Sequence, residues 1–258
     1  MIQPELKAYR RCSDRHVLVL ETNLTYVEKC QIFHYADLIR KAGNELTGIM
    51  KKRYDQLVRT KRYRKLKSLY KKYKDANNKK ALKDVCDQMK EMQKQYDVTW
   101  DYCRTSMIPI KKKYGIDAVF ALTKAEDVFR GIEKCLYSDG ETIHFKKRGD
   151  LPCIRAKQIN RGIIMKQMNF KFKNMEFGVN IKDRYEQEEV DAILYYLKNA
   201  ELMDSIAANT YKETDICVST YRPCYVSLVC KKIRGKLRVY VHITIEGLSK
   251  PKQDRFGN

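Results

Sequence analysis

The residues from Lys51 to Lys74 hold twelve Lys or Arg against a single acid, Asp55, and interleave four tyrosines. Cations mixed with aromatic rings are the chemistry of phosphate binding and base stacking. As one helix rising about 1.5 Å per residue, the segment would carry roughly 36 Å of near-continuous positive charge, about one duplex turn of nucleic-acid backbone. Lys51, Lys52, Arg53, Arg59, Lys61, Arg62, Arg64, Lys65, Lys67, Lys71 and Lys72 are the predicted phosphate contacts. Solvated helices ordinarily mix signs to gain pairs four residues apart, and one acid among so many bases departs from that habit. Tyr63, Tyr70 and Tyr73 share the packing stripe with Leu66 and are read as core; Tyr54 lies outside it and is the stacking candidate.

A second basic region runs from His144 to Lys173, where Lys146, Lys147, Arg148, Arg155, Lys157, Arg161, Lys166, Lys171 and Lys173 outnumber Asp150. Lys171 and Lys173 alternate with Phe170 and Phe172, the pattern of a strand with one charged and one apolar face. Lys146, Lys147, Arg148, Lys171 and Lys173 are therefore predicted to place charge on the open surface of a small barrel, where such folds take single strands or RNA.

The rest of the chain repeats the signal. Its 53 Lys and Arg against 32 Asp and Glu give a formal charge of +21, an excess that resists compaction until a polyanion neutralises it. Nucleic acid is the first partner to expect, ahead of an anionic membrane or an acidic protein. The nine scattered cysteines form no CxxC pair and read as reduced thiols, with Cys224 and Cys230 as small core residues. His16, His34, His144 and His242 lack any neighbour at catalytic or zinc-ligand spacing, and neither GxGxxG nor GxxxxGK occurs. The N-terminal residues lack a signal-peptide apolar run and no segment reaches the length of a membrane span, so a soluble, cytoplasmic protein is predicted.

These residues need elements to hold them. His16–Glu21 reads as a strand, and Thr25 with Glu28 as a capping box opening a helix to about residue 57 along Ile32, Tyr35, Ile39, Ala42, Leu46 and Ile49. The basic segment and the stripe Leu82, Val85, Met89, Met92 and Tyr96 form an antiparallel helical hairpin broken at Asp75, Asn77 and Asn78, with Trp100 as the anchor ending it. A further helix spans about 117–136, with Val119, Leu122, Phe129, Ile132 and Leu136 inward. Strands follow at about 142–145, 162–165, 169–173 and 176–181, interrupted by a helix at 187–199. The last is the clearest: Leu237, Val239, Val241, Ile243 and Ile245 alternate with Arg238, Tyr240, His242 and Thr244, one buried and one wet face, paired with 223–233 across Arg234 and Gly235. The early strand can pair only with strands after residue 140, which makes the helices an insertion. The fold class is α+β: a small antiparallel OB-like β-barrel with a basic helical bundle inserted after its first strand, divided as 1–24, 25–138, 139–249 and a polar tail, 250–258.

Three stretches carry a resemblance: Thr22–Glu28 (TNLTYVE) after the first strand, Ile143–Asp150 (IHFKKRGD), and Tyr221–Ile245 (YRPCYVSLVCKKIRGKLRVYVHITI). Together with the organisation they resemble the N-terminal half of the TnpB-like transposon-encoded RNA-guided nucleases, relatives of the small type V CRISPR effectors. The resemblance implies a wedge domain, an OB-type barrel, with a helical recognition domain inserted in it. It implies that the two hold a guide RNA and the guide-target duplex and help read a short motif beside the DNA target. In that family a tail like LSKPKQDRFGN precedes a strand with the first RuvC-type aspartate, then a glutamate, a second aspartate and usually a zinc ribbon.

None of these follows here, and two-metal hydrolysis needs several convergent carboxylates. Glu21 and Glu246, each at a strand end, are the nearest mimics and read as ordinary strand-terminal residues. The chain is expected to be a truncated or split member that binds guide RNA and target DNA without its own catalytic centre, Mg²⁺ belonging to the missing nuclease half. Two alternatives stand beside it: an active nuclease whose carboxylates come from a second chain, and a basic helical protein docking on an acidic protein.

Overall fold

The computed structural model describes residues 15–138, 140, 142–151, 153–157, 161–166, 169–180 and 222–246. Within them the chain is a mixed α+β protein of five helices and two antiparallel sheets. It divides into two compact units, residues 1–34 with 153–258 and residues 35–152, so the second is one continuous stretch inside the chain of the first.

The first unit holds both sheets. Strand β1 (Arg15–Thr22) ends at the predicted capping box, where the Glu28 carboxylate accepts from the Thr25 amide at 2.8 Å and from its hydroxyl at 2.7 Å. These bonds hold the Glu28 carboxyl below the usual carboxylate range. Strands β2 (Ile154–Arg155), β6 (Val179–Asn180), β7 (Arg222–Ile233) and β8 (Lys236–Glu246) join β1 in the order β2-β7-β8-β1-β6. β7 and β8 turn at Arg234 (φ 48°) and Gly235 (φ 78°), the two positive dihedrals of a primed hairpin. β1 lies beside β8 with Leu18 opposite Ile243 and Leu20 opposite Val241, all fully or almost fully buried. The lone early strand thus finds its partner more than two hundred residues away, and Thr22 seals the register by donating to the Val239 carbonyl at 2.9 Å.

A smaller sheet, β3 (Ile163–Lys166), β4 (Asn169–Phe172) and β5 (Met175–Phe177), buries Ile163, Met165, Phe170, Phe172 and Phe177 on one face. The predicted strand at 176–181 is divided. β5 belongs to the small sheet and β6 to the large one, and Gly178 sits between them, exchanging bonds with Asn23 (Gly178 N to Asn23 Oδ1, 2.9 Å; Asn23 N to Gly178 O, 3.2 Å). A Cβ at Gly178 would lie 3.1 Å from Asn23 Nδ2, so only a bare backbone approaches this closely. Among the described residues the strands do not close into a barrel. The second face of β8 is only partly wet: Arg238, Tyr240 and His242 are half-buried, Thr244 and, across from His242, Ser227 are buried, and Arg238 is tied to Glu21 at 2.6 Å. Alternation separated two chemistries correctly, and on the polar side Arg238 finds Glu21 while His242 Nε2 is buried without a hydrogen bond.

The second unit is helical. Helix α1 (Tyr26–Arg59) enters it after His34; α2 (Lys61–Asp75), α3 (Lys79–Gln95), α4 (Trp100–Tyr114) and α5 (Ala118–Tyr137) complete it. α2 and α3 pack as the predicted antiparallel hairpin: Asn77 takes the left-handed conformation (φ 52°), Asn78 caps α3, and Gln93 near its end reaches Tyr63 at the start of α2. α4 was not anticipated. Trp100 begins it rather than ending the hairpin, Thr99 caps it, and Gly115 (φ 62°) stops it with the Ile116 amide returning to Lys111 O at 2.9 Å. The Tyr35 hydroxyl accepts from the Asp117 amide at 3.0 Å and donates to its carboxylate at 2.9 Å, fixing the start of α5. Leu122, predicted to face inward, is exposed; Phe120, Ala121, Ala125 and Val128 are buried instead. Residues 142–145 form no strand, and Phe145 at their end comes against Gly48 of α1. The predicted helix at 187–199 and the tail lie outside the described residues.

Candidate nucleic-acid interface

Lys51–Lys74 is two helices, not one. The chain breaks at Thr60, whose backbone is extended (φ −70°, ψ 133°) and whose hydroxyl accepts from the Tyr63 amide at 3.2 Å, starting α2 afresh. The hydroxyl also donates to Leu57 O at 2.8 Å, closing α1. A continuous rod of charge is therefore replaced by a short cationic end of α1 and a cationic face of α2.

On α1 the cations are partly spent inside the protein. Lys51 pairs with Asp55 at 2.7 Å; the Arg53 guanidinium donates to the Tyr102 hydroxyl at 3.2 and 3.3 Å and reaches Asp97 at 3.6 Å. The Tyr102 bond is the largest of the effects that hold the Arg53 charge in place. Lys52 and Arg59 are exposed, with no salt bridge among the described residues. Tyr54 is a correction: it is 8% exposed and donates to Cys135 O at 3.3 Å, so it is core and not a stacking platform. Its place continues the four-residue series Leu46, Met50, Tyr54, a local signal that could have assigned it.

α2 carries the stronger surface. Tyr63 and Leu66 are buried against α3, as predicted, and the Tyr70 ring meets Tyr137 edge-on at 5.9 Å. Lys61, Arg62, Arg64, Lys65, Lys71 and Lys72 are exposed, and none has a salt bridge among the described residues. Lys67 is different: half-buried, it donates to Cys135 O at 2.8 Å and so anchors α2 to α5. Arg64, Lys67, Ser68, Lys71, Lys72 and Asp75, three or four residues apart, line a concavity of about 470 Å³ on this face. Ser68 and Asp75 were not anticipated there. The depression is shallow and open, and its cations stand at helical spacing along one face, a spacing that can meet successive phosphates.

The second basic region falls into two places. Lys146, Lys147 and Arg148 belong to the helical unit, not to a barrel surface, and all three are exposed on a loop held to α1. Lys171 and Lys173 are in the β unit. Lys171 is exposed as predicted, with Phe170 and Phe172 buried behind it, but its register partner is Glu176, an opposite charge directly across the ladder. Lys173 is not in the strand: it takes φ 55° in the two-residue turn between β4 and β5.

Groups with nucleophilic or metal-binding chemistry lie elsewhere. Burial pushes the Cys103 and Cys230 thiols up to about 12, which keeps them protonated and inert. Glu21 is committed to Arg238, and among the described residues no three His, Cys, Asp or Glu side chains gather where a metal ion could be held. No described helix is long and apolar enough to cross a membrane. Compared with protein-family models and with curated proteins, the chain matches none.

Proposed function

We propose that this protein binds nucleic acid in the manner of the wedge and recognition modules of TnpB-like RNA-guided nucleases, gripping a guide RNA and the RNA–DNA duplex it forms with target DNA. The observation that carries this reading is the exposed face of α2, where Arg64, Lys71 and Lys72 stand around a concavity with no acid paired to them among the described residues. Cations so placed gain by replacing condensed counterions on a phosphate backbone, and sequence is then read by base pairing and not by the protein. The β unit supports the same reading more loosely. Its antiparallel sheet takes in β6 at the Gly178 corner, where the chain leaves one sheet for another, a device of OB-like barrels.

The test is binding of a structured RNA, and of an RNA–DNA duplex, across a salt series. Log affinity falls linearly with log salt, and six to ten phosphate contacts lose about 10³- to 10⁵-fold between 50 and 200 mM. An affinity insensitive to salt removes the proposal, as does co-purifying material that is acidic protein instead of ribonuclease-sensitive nucleic acid.

A further inference from the structure

Phe145 is 50% exposed, unusual for a phenylalanine on a loop that is otherwise firmly held. The hold comes from one face of α1. The Asn44 carboxamide clasps the backbone of Lys146, accepting from its amide at 2.9 Å and donating to its carbonyl at 2.9 Å, and Arg40 adds a longer bond to that carbonyl at 3.4 Å. One turn further along, a Cβ on Gly48 would lie 3.9 Å from Phe145 Cε1, so an edge of the ring rests on nearly bare helix backbone. Beyond Lys146 the chain closes a turn from Lys147 to Asp150, with the Asp150 amide donating to Lys147 O at 3.1 Å and Gly149 at φ 97°.

The loop is thus fixed by polar bonds to its backbone, which leaves its side chains available. What it presents is an aromatic ring beside three exposed cations, Lys146, Lys147 and Arg148. We infer that Phe145 is a stacking platform for an unpaired nucleobase, with Lys147 and Arg148 taking the phosphates of the same strand and Asn44 acting as the positioning residue. A paired base has both faces covered by its neighbours, so a lone exposed ring selects single-stranded over duplex nucleic acid, whereas cations alone do not. The inference rests on the nucleic-acid reading above and adds a distinct class of ligand.

Phe145→Leu keeps apolar bulk and removes the ring. It lowers affinity for a 12-nucleotide oligouridylate about 5- to 150-fold, leaves the salt slope unchanged, and leaves binding to a duplex of equal length within about twofold. Asn44→Leu lowers the oligouridylate affinity too, but flattens the salt slope, because the cations lose their fixed position. Phe145→Trp adds an indole whose emission the oligouridylate quenches and the duplex does not; wild type, with Trp100 as the sole tryptophan, is the control. Because Phe145 is half exposed, these variants keep the core. Equal oligouridylate binding by wild type and Phe145→Leu overturns the platform while leaving the α2 interface standing; failure of wild type to bind either ligand overturns both.

Discussion

Arg64, Lys71 and Lys72 are exposed, lie on the concave face of α2, and have no salt bridge, so replacing all three by Gln removes charge with little effect on packing. From Arg64 to Lys72 the helix advances about 12 Å, a span over which a duplex presents roughly seven phosphates counting both strands, so three contacts on one side are sterically consistent. Each contact contributes about 0.9 to the slope of log affinity against log salt on a duplex, and three contribute about 2.7. If the part of binding that survives at 1 M salt is untouched, the triple variant is about 500-fold weaker at 0.1 M and converges with wild type as salt rises. Fluorescence anisotropy with a labelled RNA–DNA duplex at five or six salt concentrations reads both slope and intercept. Lys67 is left out because its ammonium holds Cys135 O at 2.8 Å; Lys67→Gln shifts the thermal midpoint, which the triple variant does not. Parallel lines for wild type and the triple variant, whatever their offset, refute the assignment of phosphates to this face.

Two predictions concern the frame behind these sites. Gln93 is 7% exposed and its amide donates to Tyr137 Oη at 2.8 Å and Tyr63 Oη at 3.4 Å, so Gln93→Leu strands two phenol groups and costs roughly 2–3 kcal/mol in urea unfolding; a loss below about 0.5 kcal/mol contradicts the network. Burial, and then Lys231, hold the His242 imidazole below its usual range, and its Nε2 is buried without a hydrogen bond. The unfolded chain binds that proton first, so His242 contributes stability that is present above about pH 6.5 and is lost as pH falls from there toward the lower folded value. His242→Gln flattens the thermal midpoint over that window, and an unchanged pH profile speaks against the burial.

Much of the frame was legible because its causes are local. Thr25 and Glu28 are three residues apart and cap α1 as read; Arg234 and Gly235 turn β7 into β8; Tyr63 and Leu66 bury the side of α2 that their spacing marks. α4 was written just as locally, in the Thr99 cap, the Gly115 stop and the buried series Cys103, Met107, Ile110, but Pro109 and the lysines at its end obscured the period. Thr60 was harder. A threonine inside a basic run does not announce whether its hydroxyl will serve the helix before it or the one after, and here it serves both.

Composition and periodicity by themselves determined that the chain is strongly cationic, that its charge concentrates after residue 50, and which side of each amphipathic segment turns inward. Only the tertiary structure decided which cations are free. Arg53 is drawn to Tyr102 and Asp97, Lys67 to the end of α5, and Lys171 faces Glu176, while Arg64, Lys71 and Lys72 keep an open face. It also decided that Phe145 stays half exposed on a loop whose Lys146 backbone is clasped by Asn44, 102 positions earlier. Side-chain charge and helical period are properties of neighbours in the chain, whereas neutralisation and burial depend on groups that meet only when distant segments pack.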